Sequence, residues 1–274
     1  MPELPDVETM RQYLQATSLH QKIADMEVHD ADVVPVEDAS QEAALQELKE
    51  ELVGCSFNST RRHGKWMFVA LDDDRDSFLV LHFGMTGGLR YFKNMEEEPE
   101  YDRVLFHFDN DYQLAYISLR KLGEVKVIDD VEQLIAEKGL GPDALDADFD
   151  LAAFKDAVED RRAMVKSILM DQGTIAGIGN VYSDEILFHA GIHPRTKINN
   201  LEEETLKELF YTMKDVLQKA IEYQAEPEQF PESFITRHRH EGGRCPICGA
   251  ELQRVKVSSR SAYYCPNRQR KGGR

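Results

Sequence analysis

No run of roughly 18 consecutive apolar residues occurs, so no membrane-spanning helix is expected. The first residues lack the basic-then-apolar pattern of a secretory signal. Cysteine is scarce, with four in 274 residues: Cys55, Cys245, Cys248 and Cys265. Three of them crowd near the C-terminus, which points to a metal site and away from a disulfide framework. Internal repeats and low-complexity segments are absent. A cytoplasmic protein is expected. What is present is apolar content of 42%, enough for a sizeable core and against wholesale disorder, in a chain long enough for one large or two ordinary domains.

Positive charge is also short overall. The chain carries 33 Lys and Arg against 50 Asp and Glu, a formal net charge of −17. That argues at first sight against nucleic acid. The distribution reverses the argument. From Arg237 to Arg274 there are ten basic and two acidic residues, a net +8, which leaves −25 on the other 236 residues. A basic module on an acidic body suits a polyanionic partner.

Residues 5–17 carry Val7, Met10 and Leu14 at helical spacing. A β pattern runs from Ile23 towards Val36, followed by an acidic loop, and residues 41–53 read as a short helix. Strands are expected over residues 55–62, 65–72, 77–83, 89–92, 101–108, 111–117 and 123–128, with turns at Asp72–Asp74 and Asn110–Asp111. So many strands in so short a span imply an antiparallel sandwich or barrel-like domain. Residues 129–150 read as a connector broken by Gly139, Gly141 and Pro142. Helices follow over 151–171, 181–190 and 201–222, and residues 245–265 form a hairpin with a knuckle. The fold class is therefore α+β.

Several residues can carry chemistry. If Met1 is removed, Pro2 offers a secondary amine with a pKa of roughly 8. Such an amine can attack an electrophilic carbon and form an iminium. Glu3 places a carboxyl beside it. The alternative is a frayed terminus. The Gly-rich stretch 173–180 follows a helix and not a strand, so it fails as a dinucleotide fingerprint. A turn leading into a helix N-terminus suits a phosphate, with Asn180 as an added donor; helix packing on the glycines is the other reading. The spacing Cys245-x2-Cys248-x16-Cys265-x2-Arg268 is a zinc ribbon with Arg268 in place of the fourth thiolate. Either His238 or His240 completes the site, or the hairpin is metal-free. Arg260 at the hairpin tip can reach a phosphate or stay solvated. Lys65 opens an apolar strand, and Met85 lies in a loop as either a base-stack wedge or a gap-filler.

Taken together these residues closely resemble the formamidopyrimidine-DNA glycosylase and endonuclease VIII family. The matching stretches are MPELPDVET (1–9), HGKW (63–66), HFGMTGGLR (82–90), LGPD (140–143), residues 170–194 and the cysteine hairpin (245–269). Leu4 favours the formamidopyrimidine branch. The resemblance implies a sandwich domain over 1–130, a linker over 131–150, a helix–two-turn–helix domain over 151–236 and a zinc-finger-like hairpin over 237–274. It implies a monomer acting on damaged double-stranded DNA in the nucleoid, with one zinc ion as cofactor. The flipped lesion is attacked at C1′ by the Pro2 nitrogen, while Glu3 gives a proton to the opening sugar. Lys65 matches the lysine assigned to phosphate binding and β-elimination, Arg260 the arginine assigned to δ-elimination. Asn180 and Arg162 match phosphate-binding positions. Tyr101 and Lys121 occupy further DNA contacts, where His and Arg are usual. Met85 and Arg120 match two of three residues that fill the space left by the flipped base; the third, usually Phe, is Leu122.

Two departures bear on specificity and metal. Arg268 replaces the fourth cysteine, and the segment from about Gln224 to Arg244 is short where relatives that recognise 8-oxoguanine carry a capping loop. Excision of oxidised or ring-opened purines is the expected activity. Excision of oxidised pyrimidines and non-excising binding of abasic DNA are the alternatives.

Overall fold

The computed structural model describes residues 1–36, 40–72, 74, 76–93 and 97–270. The acidic loop expected after Val36, Asp73 of the expected Asp72–Asp74 turn and the last four residues of the basic module lie outside them. The chain falls into two units: Met1–Pro2 with Asp6–Lys138, and Glu3–Pro5 with Gly139–Arg274.

The first unit holds helix α1 (Leu4–Thr17) from Asp6 onward, α2 (Gln41–Leu52) and α3 (Val131–Glu137). Among the described residues its strands are β1 (Ile23–Val28), β2 (Phe57–His63), β3 (Trp66–Leu71), β4 (Phe78–His82), β5 (Gly87–Phe92), β6 (Asp102–Phe108), β7 (Gln113–Ser118) and β8 (Glu124–Ile128). They pair antiparallel into two four-stranded sheets, β1-β6-β7-β5 and β2-β3-β4-β8. Alternate residues of each strand point to opposite faces. Phe57, Met67, Val69, Leu79, Leu81, Val104, Phe106 and Leu114 accordingly fill one buried core together with Val7 and Leu14 of α1. Phe57 meets Phe106 and Phe108 edge-on at centroid distances of 5.8 Å each. Burying each such ring contributes about 1.5–3 kcal/mol.

Three local differences from the sequence expectation have physical causes. The β pattern ends at Val28 because Asp30 caps a short 3-10 turn over Ala31–Val33. The expected connector contains α3, capped by Asp130, which buries Val131 and Leu134. Seven residues are too few to show a helical period against the flanking loops. The helix expected over 151–171 is two helices, α4 (Leu151–Val158) and α5 (Val165–Met170). Between them the chain is drawn out by pairing: Met164 bridges Lys197, and the Val165 and Ile198 N–H groups donate to Thr196 and Ala163. Tertiary pairing overrides local propensity here.

The second unit continues with α6 (Asn180–His189), α7 (Glu203–Glu222) and the hairpin β9 (Gln253–Val257) and β10 (Arg260–Tyr264). Its core gathers Phe154, Ile168, Leu169, Ile175, Ile186, Leu209, Phe210 and Met213, and also takes in Leu4. The 224–244 segment is packed down, with Phe230, Phe234 and Ile235 buried. Ser258 and Ser259 make the two-residue hairpin turn, with φ of 44° and 63°. Positive φ at both positions is the type I′ geometry that matches strand twist.

Candidate active site

In the second unit the site is built on the turn before α6. The Gln172 side chain holds that turn: its amide donates to the Met170 and Ile178 carbonyls and its oxygen accepts from the Gly177 N–H. Gly177 lies at φ +111° with Leu4 packed where a Cβ would stand. The Leu4 N–H donates to the Gly177 carbonyl at 2.9 Å. This seats Glu3 at the N-terminus of α6. Its carboxylate accepts the N–H groups of Gly179 (2.8 Å), Val181 (2.8 Å) and Tyr182 (3.1 Å). These are the helix donors that have no intrahelical partner, and negative charge is favoured there. The sequence reading of this turn as a ready backbone phosphate site is therefore corrected: Glu3 already takes up those three N–H groups. What stays available is the Asn180 side chain, whose buried Oδ1 accepts no hydrogen bond.

A buried ionic network fixes the first turn of α6. Lys166 is fully buried, and its Nζ donates to Asp184 (2.7 Å), Ser183 Oγ (2.7 Å) and the Asn180 carbonyl (3.1 Å). Burial pushes the Lys166 pKa down, and the Asp184 carboxylate opposes that. The other Asp184 oxygen accepts from Arg239 and from the Tyr263 N–H of β10 at 3.0 Å. Arg239 also reaches the Asn180 carbonyl. One carboxylate thus ties the helix carrying Asn180 to the hairpin carrying Arg260. Ser258 and Ser167 share a hydrogen bond of 2.7 Å, and Arg195 donates to the Lys256 carbonyl, so the hairpin is docked at three places. Arg260 and Arg162 are both exposed.

In the first unit, Pro2 is half-buried and Lys65 is buried directly after the β2–β3 turn. Gly64 adopts φ +56° there, and Arg62 donates to its carbonyl while pairing with Glu8. The neighbouring His82 ring stacks on Trp66 at 4.4 Å. Burial lowers the His82 pKa; Glu124 opposes this while Lys65 and Lys138 add to it. Met85, Arg120 and Leu122 stand on two adjoining loops. The Arg120 N–H donates to Thr86 Oγ1 at 3.2 Å, and Gly84 lies so close to the Leu122 carbonyl that no Cβ fits. Leu122 and Arg120 are exposed, and Met85 is half-buried. Tyr101 is exposed under the Arg103 guanidinium. Lys121 is engaged: its Nζ lies 2.6 Å from Asp30 and 3.4 Å from Asp32.

In the hairpin, the Cys245, Cys248 and Cys265 sulfurs lie within 4.8 Å of one another. Burial pushes the Cys265 thiol up to about 12, so its thiolate needs a cation beside it. Three converging sulfurs of this kind fit one zinc ion. Arg268 stacks over the Phe188 ring at 5.6 Å. Neither His238 nor His240 belongs to the sulfur group among the described residues.

Sequence reasoning missed Lys166, Asp184 and Arg239. The available signal was charge inside apolar patterns: Lys166 beside Val165, Ile168 and Leu169, and Asp184 in the run from Tyr182 to Phe188.

By fold and site this is a sandwich unit joined to a helical unit with a cysteine hairpin, whose first residues are built into a helix N-terminus. Three family models match in order: the formamidopyrimidine-DNA glycosylase N-terminal domain over residues 1–125, the H2TH domain of the same proteins over 140–231, and the zinc finger found in FPG and IleRS over 242–267. A formamidopyrimidine-DNA glycosylase of Protochlamydia amoebophila is 31% identical over 99% of this chain and 100% of its own. The Lactococcus lactis enzyme bound non-covalently to abasic-site DNA is 30% identical, with a TM-score of 0.84 over 98% of this chain and 100% of that one. A variant of the same enzyme bound to Fapy-dG-containing DNA has a TM-score of 0.85 at 31% identity, over 98% of this chain and 100% of that one. The chain belongs to the formamidopyrimidine-DNA glycosylase family.

Proposed function

We propose that the protein is a DNA glycosylase and abasic-site lyase that excises oxidised purines, ring-opened purines included, from duplex DNA. The observation that carries this is the Glu3 carboxylate held by three N–H groups at the N-terminus of α6. A side chain locked in this way fixes the residue bonded to it, and Pro2 is that residue. Once Met1 is removed, the Pro2 nitrogen attacks C1′ of the flipped nucleotide and the base leaves. Glu3 relays a proton to the opening sugar oxygen. The resulting iminium draws electrons from C2′, so loss of the 2′ proton expels the 3′ phosphate, and loss of the 4′ proton from the conjugated product then expels the 5′ phosphate. Lys65 and Arg260 bind those phosphates, with Asn180 and Arg162 on the flanking backbone. Met85, Arg120 and Leu122 occupy the vacated stack, and Tyr101 and Lys121 contact the duplex. One zinc ion on Cys245, Cys248 and Cys265 holds the hairpin. No helix among the described residues is long and apolar enough to cross a membrane. The protein acts as a monomer in the cytoplasm on nucleoid DNA.

Borohydride reduction during reaction with lesion-containing duplex tests this. The wild-type chain should be trapped covalently on DNA. Pro2→Gly, and protein that retains Met1, should not be. Absence of trapping on every lesion and abasic duplex would falsify the enzymatic reading. A second reading, oxidised pyrimidines, is favoured by the burial of Phe230, Phe234 and Ile235, which leaves the 224–244 segment little free length to cap a purine. A panel of purine and pyrimidine lesions separates the two.

A further inference from the structure

We propose that Asp184 is a positioning residue for the second elimination: it sets the hairpin arginine, Arg260, relative to the phosphate-binding end of α6. This rests on the lyase activity proposed above and on Arg260 serving the step in which the 5′ phosphate leaves. Asp184 follows Asn180 by four residues on α6 and is buried. Its carboxylate accepts on both oxygens. Lys166 Nζ donates to one at 2.7 Å. Arg239, through Nε at 3.1 Å and Nη2 at 2.8 Å, and the Tyr263 N–H at 3.0 Å donate to the other.

The register of the hairpin explains the bond to Tyr263. Arg260 pairs with Val257 across the two-residue turn, and Tyr263 pairs with Arg254. The pair that closes such a turn is hydrogen-bonded, and bonded and non-bonded pairs then alternate, so Tyr263 turns its N–H away from β9. Asp184 meets that outward N–H and is tied to the backbone of β10. Arg239 adds to the tie, with its guanidinium 5.7 Å over the Tyr263 ring. Arg260 lies three residues nearer the tip, about 10 Å away at the rise of a strand. Alternation puts the Arg260 side chain on the face of Ala262, which is fully buried. How β10 sits on the second unit therefore sets the direction of Arg260.

The cations that Asp184 holds also hold Asn180. Lys166 Nζ and Arg239 Nη2 each donate to the Asn180 carbonyl at 3.1 Å. One buried carboxylate thereby fixes the spacing between two groups proposed to bind phosphate. Two further ties, Ser258 to Ser167 and Arg195 to the Lys256 carbonyl, are exposed and hold the turn and β9, not β10.

Single-turnover reaction of the full, zinc-loaded chain with an abasic-site duplex tests this, at saturating enzyme and well below the melting midpoint of each variant. Borohydride trapping reads the iminium. Denaturing gels resolve the 3′-aldehyde end left by loss of the 3′ phosphate from the 3′-phosphate end left once the 5′ phosphate departs. Two variants are compared with wild type: Asp184→Ala, and Lys166→Met with Asp184→Leu, which removes the tie to Tyr263 without stranding Lys166. In both, trapping and the first elimination should stay near wild type, while conversion of the aldehyde end to the phosphate end should slow by about tenfold or more, as for a displaced group. A merely structural role would slow both steps together in Asp184→Ala and restore both in the double variant. That outcome overturns the proposal, as does an unchanged second step in the double variant or a wild type that makes no 3′-phosphate end. A wild type that is never trapped refutes the lyase reading itself, and this proposal with it.

Discussion

Replacing Asp184 by Ala removes the carboxylate on which the second unit's buried charges converge. Lys166 and Asp184 are both fully buried, so solvent screening does not soften the loss. Removing one partner of such a pair strands the other charge and costs about 3–5 kcal/mol. For a unit of this size each kcal/mol lowers the midpoint by roughly 2–4 °C, so a fall of roughly 6–20 °C is expected in differential scanning calorimetry. The defect has a pH signature. Burial depresses the Lys166 pKa in the folded state below its unfolded value. Between those two values the unfolded chain binds more protons, so stability rises with pH across that window. Without Asp184 the folded pKa drops further, and the window opens from a lower pH. Asp184→Ala should therefore regain stability on moving from neutral to alkaline pH more than wild type does. Lys166→Met combined with Asp184→Leu should recover more than half of the loss, because no charge is then stranded. A fall under about 1 kcal/mol, or a double variant no better than the single, refutes the reasoning.

The remaining expectations concern the site. Gly179→Ala should drive a Cβ into the Glu3 carboxylate; kcat for base release should drop by about 100-fold or more, the scale for a misplaced reacting group, with KM little changed. Arg268→Cys should supply the missing thiolate and slow zinc transfer to a chelator, read by a colorimetric indicator; an unchanged rate argues that the fourth position is filled from elsewhere. Asp30→Asn with Asp32→Asn should free Lys121 and tighten DNA binding with a steeper salt dependence; because the pair is partly exposed, a gain of only a few-fold is expected in a fluorescence titration.

The sandwich was legible because period-two alternation and turn residues coincide from Phe57 to Ile128. Its short helix α3 was not, since only Val131 and Leu134 mark its buried face. The break at 159–164 was equally hidden, being imposed by pairing with residues 196–198, far along the chain. At the site, the chemical types stood out in the sequence: an N-terminal proline and glutamate, a glycine-rich turn, three cysteines. Their wiring did not. That Glu3 and not a phosphate takes the α6 N–H groups depends on contacts 176 to 179 residues apart. Asp184 reaches β10 across 79 residues. Local pattern carries no information about such partners.

The seat of Glu3 also bears on how the chain is made. Residues 3–5 leave the ribosome well before Gly179, Val181 and Tyr182, which receive Glu3 and follow it by 176 to 179 residues. The second unit's core lacks Leu4 until then. During that interval Glu3 and Leu4 have no seat in the second unit. A fragment beginning at Gly139 should be unstable by itself and should gain from a short peptide, Pro-Glu-Leu-Pro, added in trans. Translation order and completion of the second unit are thus linked through Glu3 and Leu4.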